Sequence, residues 1–67
     1  MSKRIDLIEI LQICEKYEPG NWVCAEHDII YVLGSDASEK VSPEDRERLD
    51  SLGAHFDSEA DGWTVFT

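Results

Sequence analysis

Positive charge is scarce in this chain. Six lysines and arginines stand against fifteen aspartates and glutamates, a formal net charge of −9 over 67 residues. Such an excess repels nucleic acid and anionic membrane and favours basic partners. The one pair of adjacent bases, Lys3-Arg4, is too small to form a patch for either. No apolar run approaches the roughly 20 residues that span a bilayer. Cysteine is sparse as well: Cys14 and Cys24, taken with His27 and His55, form no Cys-x-x-Cys or His-x-x-x-His spacing of the kind a zinc site uses. No apolar signal region precedes them, so two free thiols in a reducing cytoplasm are expected. The glycines Gly20, Gly34, Gly53 and Gly62 are scattered as turn residues and build no phosphate-binding loop. Neither direct nucleic-acid binding, nor a membrane role, nor a cofactor is therefore expected.

What is present is enough apolar material to fold. Hydrophobic residues make up 42% of the chain, well above the composition of a disordered acidic tail. Residues 1–67 are expected to form one compact acidic domain. A chain of this length buries only about 60% of its unfolded surface, so a homodimer is one way to supplement a marginal core. The charge is uneven: residues 1–20 are net −1 and residues 21–67 net −8.

From Ile5 to Tyr17 eight apolar residues leave Asp6, Glu9, Gln12 and Lys16 as a polar stripe, which predicts a helix buried on most of its circumference. Ser2 is placed to cap it and Pro19-Gly20 to end it. Lys3 and Arg4 at its start and Glu15 and Glu18 at its end oppose the helix dipole, so burial must hold it. Trp22-Val23-Cys24-Ala25 and Ile29-Ile30-Tyr31-Val32-Leu33 read as a hairpin closed by Glu26-His27-Asp28. The second strand is apolar on both faces, the pattern of a central strand. Residues 34–40 read as a polar loop. Ser42-Pro43-Glu44-Asp45 then signals a second helix over Pro43 to Leu52, with Gly53 as its left-handed cap. Ala54-His55-Phe56-Asp57 and Trp63-Thr64-Val65-Phe66-Thr67 form a final hairpin around an Asp-Gly turn. The fold class that follows is α+β: two helices packed on a small antiparallel sheet, in the order helix-hairpin-helix-hairpin.

Three kinds of chemistry can be weighed on these residues. Asp57-x-Glu59-x-Asp61-Gly62 mimics the opening of a calcium-binding loop, but its preceding segment is a strand and no glutamate stands at the twelfth position. A small metal-binding or enzymatic module using Asp57, Glu59, Asp61 and His55 is the alternative reading it supports. A Cys24 nucleophile with His27 or His55 as base is disfavoured, because a thiol inside an apolar strand is inaccessible and hard to ionise. The third is the acidic surface itself: Glu44, Asp45, Glu47, Asp50, Asp57, Glu59 and Asp61, interrupted only by Arg46 and Arg48. With Trp63 as an aromatic anchor, it suits docking on a basic protein surface. Tyr31 and Phe66 are further candidates for either anchor or core.

The run Ser42-Pro43-Glu44-Asp45, Leu49-Asp50-Ser51-Leu52-Gly53, Asp57-Ser58-Glu59 and Trp63-Thr64-Val65-Phe66 resembles in layout, over residues 27–67, short acidic proteins encoded by bacteriophages and prophages. Ala54-His55-Phe56 departs from a tryptophan-rich version of that layout. The resemblance implies a bacterial cytoplasmic setting and an inhibitor or adaptor acting on a host protein, including anti-CRISPR-like or DNA-mimic action. It carries no catalytic residue. The expectation is a non-catalytic acidic interaction module.

Overall fold

A computed structural model describes residues 3–66 of the chain. Helix α1 (Arg4–Tyr17) leads into a hairpin of β1 (Cys24–Glu26) and β2 (Ile29–Gly34). A one-turn helix α2 (Ser35–Ser38) and helix α3 (Pro43–Ser51) follow, and β3 (Ala54–Asp57) and β4 (Gly62–Phe66) close the fold. The two hairpins merge into one four-stranded antiparallel sheet with the order β1-β2-β4-β3. The α+β class and the central position of the second strand follow the sequence pattern. Among the described residues, no helix is long and apolar enough to cross a membrane.

The first helix departs from its expected burial. Ile10, Ile13 and Cys14 are buried, but Ile5 and Ile8 are 68% and 49% exposed, because α1 crosses the sheet on one face and the small chain has nothing left to cover the other side. Ser2, expected to cap this helix, lies outside the described residues, as does Thr67; Lys3 occupies the N-cap position without a side-chain cap. The segment Trp22-Val23, expected in the first strand, precedes it, and Trp22 is 89% exposed. The turn between β1 and β2 tightens to His27-Asp28, with His27 in the left-handed region at φ 57°. The expected loop 34–40 contains α2, which buries Ala37 and Ser38; the Ser38 hydroxyl donates to the Ser35 carbonyl at 2.7 Å and so brings no unpaired group inside.

Helix α3 begins as its sequence dictates. Ser42 Oγ accepts from the Asp45 amide at 3.2 Å and Pro43 takes the first turn, satisfying one of the amides a helix start leaves open. Its far end is closed by Leu52 and by Gly53 at φ 100°. Leu49 and Leu52 turn inward with Ile10, Ile13, Val32, Leu33, Ala54, Trp63 and Val65 to form the core. The register lines up Ala54, Val65 and Ile30 across the sheet on this covered face. Cys24, Tyr31, Thr64 and His55 make the adjacent row on the opposite face, where His55 and Phe66 bring their rings to 5.7 Å. Val32 is an extra residue between the Tyr31–Thr64 and Leu33–Trp63 pairs, a bulge in the central ladder.

Two sets of polar ties fasten α1 to α3. Lys16 Nζ lies 2.7 Å from Asp45 Oδ2, and the Tyr17 hydroxyl also donates to that carboxylate while accepting from the Ser42 amide at 3.2 Å. Arg48 grips Glu9 with two parallel hydrogen bonds, the Nη2–Oε1 arm at 2.8 Å, a fork geometry that adds specificity to an exposed pair. The hydrogen bonds from Lys16 and then Tyr17 hold the Asp45 carboxyl below its ordinary value of 3.8. A carboxyl depressed in the folded state contributes stability above its unfolded value and loses it as pH falls through the folded one.

Two outcomes test this frame. A Cβ at Gly62 would fall 2.1 Å from the Leu33 carbonyl oxygen, so Gly62→Ala should cost about 2 kcal/mol or more by forcing the central strands apart; chemical denaturation with an unchanged midpoint would refute the close approach. Asp45→Asn should lower the thermal midpoint at pH 7, with the gap to the parent closing on acidification below about pH 4. A gap of constant size from pH 7 to pH 2 would show that the Asp45 charge plays no part.

Candidate functional site

Seven carboxylates were candidates for a common acidic face, and the structure divides them. Helical spacing separates two sides of α3. Asp45, Arg48, Leu49 and Leu52 turn toward α1 and the core, so Asp45 is spent on Lys16 and Tyr17 and does not join an outward face. On the other side Pro43, Glu44, Arg46, Glu47 and Asp50 line a cleft of about 490 Å³ together with Trp63. The structure thus brings together four of the expected site residues, Glu44, Glu47, Asp50 and Trp63.

The carboxylates of the last hairpin stand apart from that cleft. Asp57 Oδ1 accepts from the amides of Glu59 and Ala60 at 3.0 and 3.4 Å, a turn-closing arrangement typical of aspartate. Asp61 accepts from the Ser35 hydroxyl at 3.1 Å and sits in the left-handed region at φ 59°. Glu59 is exposed on the turn. Two of the three carboxylates therefore hold the hairpin and its contact to α2. Among the described residues, no group of three histidine, cysteine, aspartate or glutamate side chains is placed to hold a metal ion.

Sequence reasoning missed Arg46, Phe56, Ser38 and Glu39. These residues and Trp63 line a second lobe of about 290 Å³ between α2, α3 and the sheet, and Arg46 and Trp63 border both lobes. The signal was available in part: positions 43, 46, 47 and 50 fall on one helical face. The approach of Phe56 and Glu39 could not be seen, because it depends on how α2 folds back. Phe56, half exposed, meets Trp63 edge to face with ring centroids 6.3 Å apart.

Trp63 is the unusual member. It is 5% exposed, yet its indole Nε1–H has no acceptor among the described residues. A buried donor left without a partner costs about 1–3 kcal/mol, and this one is closed to solvent. Glu44, Glu47 and Asp50, by contrast, are exposed and make no side-chain hydrogen bond or ion pair among the described residues. Lys16 is engaged with Asp45 and Arg48 with Glu9, and Arg46, which lines the same cleft, bonds the Ser38 carbonyl rather than any of the three.

Of the two thiols expected to be buried, only Cys14 is. Cys24 lies exposed on the edge strand β1, and burial pushes the Cys14 thiol up to about 11, because the edge strand has no cover while α1 turns Cys14 into the core. Neither has a histidine partner in the hydrogen bonds of the described residues. A colorimetric thiol titration of the native protein should release one equivalent promptly, from Cys24, and the second only on unfolding. Two prompt equivalents would contradict the burial of Cys14.

Comparison with protein-family models, with curated proteins and with solved structures finds no match to this chain.

Proposed function

We propose that the chain is a non-catalytic interaction module whose outward α3 face docks on a basic surface of another protein. The observation that carries this reading is the set Glu44, Glu47 and Asp50, three uncompensated carboxylates around a cleft walled by Trp63. Internal structure has no use for them. A net charge of −9 speeds encounter with a positive partner and discourages anionic ones. The cleft supplies what plain acidity lacks, an aromatic wall against which a partner side chain can be desolvated. An inhibitor or adaptor of the phage type, including one that offers carboxylates in place of nucleic-acid phosphates, is a form of the same docking.

The test is capture of binding partners from a bacterial lysate by the tagged protein and by two variants. The triple substitution Glu44→Lys, Glu47→Lys, Asp50→Lys should abolish capture of partners that high salt also releases, since screening weakens exposed charge contacts. The pair Glu59→Gln, Asp36→Asn, which removes charge elsewhere, should retain them. Capture undiminished in the triple variant would overturn the reading.

A further inference from the structure

Two stretches whose sequence calls for burial are left open, and they share one flank of the molecule. The sheet order puts β1 at a rim, and α1 packs on β2 while α3 packs on β3, so α1 lies toward the β1 side. Glu9 and Lys16, seven residues apart on α1, turn to α3. Helical spacing therefore places Ile8, Leu11 and Glu15 on the flank away from α3, with Ile5 one turn before Ile8. Leu11 and Glu15 meet Trp22 and Val23 around a depression of about 90 Å³. Ile5, Ile8, Trp22, Val23 and all of β1 are exposed.

The rim itself presents free backbone. Closure of the hairpin over the two residues His27-Asp28 makes Glu26 and Ile29 a pair that exchanges both backbone hydrogen bonds. Such pairs alternate with pairs that exchange none, so Ala25 turns its amide and carbonyl away from β2. Where β1 does not reach, the Gly34 amide of β2 is already met by Glu18 at 3.0 Å. The open length is residues 22–26, and it includes Trp22 and Val23, strand formers that stand outside the strand.

We propose that a second copy of this chain covers this flank, β1 pairing antiparallel with β1 of the other copy about a two-fold axis at Cys24 to make one eight-stranded sheet. A surface that meets itself across a two-fold axis must be self-complementary, and this one is. With the axis at Cys24, Val23 of each copy faces Ala25 of the other; an axis at Ala25 would set Val23 against His27, where φ of 57° ends the extended backbone. The axis reverses α1 as well. The Lys3-Arg4 start of one helix then lies beside the Glu15-Glu18 end of the other, so charges that oppose the dipole of their own helix meet opposite charges on the copy. Neither Lys3 nor Arg4 has an ion pair among the described residues. Charge also selects this flank for self-association. Residues 1–20 hold three bases and four acids, whereas the whole chain is at −9. The α3 face stays free, so the pairing is independent of the docking role.

Sedimentation equilibrium of the full chain should show monomer passing to dimer as concentration rises. Ile8→Glu, at a site exposed in the single chain, should weaken the dimer about tenfold or more with an unchanged far-ultraviolet circular dichroism spectrum, since it sets a charge in the interface core. Phe56→Glu, a comparable exposed site near the opposite rim, should leave it intact. The register has its own readout. Opposed residues in a pair without backbone bonds have Cα atoms about 4.5 Å apart, within reach of a disulfide. Diamide should join the two Cys24 thiols: they give up two protons and two electrons, the diazene is reduced to the hydrazine, and one S–S bond forms. Cys24→Ser should lose the covalent product and keep the dimer, and Ile8→Glu should slow cross-linking. A monomer at every concentration, or a dimer indifferent to Ile8→Glu, would overturn the proposal. A dimer that diamide does not cross-link would overturn the axis at Cys24.

Discussion

The fold depends on the antiparallel pairing of β2 with β4. Each hairpin closes on itself over a few residues, and this contact merges the two into one sheet and gives the helices one surface to cover. It is made at very close range. Gly62 lies against the Leu33 carbonyl with no room for a methyl group, and Val65, one of the fully buried side chains, sits between Ile30 and Ala54 in the same ladder. The bulge at Val32 adjusts the ladder there, so that Val32 and Leu33 are both buried. A chain this short has a total stability on the order of 3–10 kcal/mol, and the burial of a few aliphatic side chains at this joint accounts for much of it.

The polar ties then sort the acidic surface. Because Lys16 and Tyr17 engage Asp45 and Arg48 engages Glu9, the side of α3 toward α1 is electrostatically settled. The side toward the cleft is not. The same helix therefore has one face fixed by internal partners and one face left over, and the leftover face lies beside a tryptophan with an unmet donor. Neither feature alone distinguishes a binding surface from ordinary acidic exterior.

Much of this was legible in the sequence where the rules are local. The Ser42-Pro43 start and the Gly53 stop of α3 depend on neighbouring residues, and they lie where their chemistry puts them. The apolar run of β2 announced a central strand for a comparable reason. What the sequence could not carry is how far a small core extends. Ile5 and Ile8 continue the apolar pattern of α1, yet there is no second layer for them to meet. Trp22 reads as a strand residue and stands in solvent. The acidic turn of the last hairpin looked like a ligand site because Asp57 and Asp61 are spaced as ligands are; their oxygens serve amides and a hydroxyl instead. A carboxylate's task is set by what folds next to it, and the short α2 helix that brings Ser35 to Asp61 was hidden in a run of polar residues.

The sheet ends on both sides in short strands, β1 with three residues and β3 with four, each leaving backbone groups unpaired along its rim. Such rims are templates for strand addition between molecules. No proline stands in either rim, and mutual repulsion of the chains is the guard against growth beyond a closed pair. That guard is conditional, because it lapses near the isoelectric point of about 4.3. On further acidification, below the ordinary value of 3.8, the Asp45 tie between α1 and α3 loosens as well. Colloidal protection and tertiary fastening thus draw on one pool of ionised carboxylates, and an acidified compartment would put both at risk together.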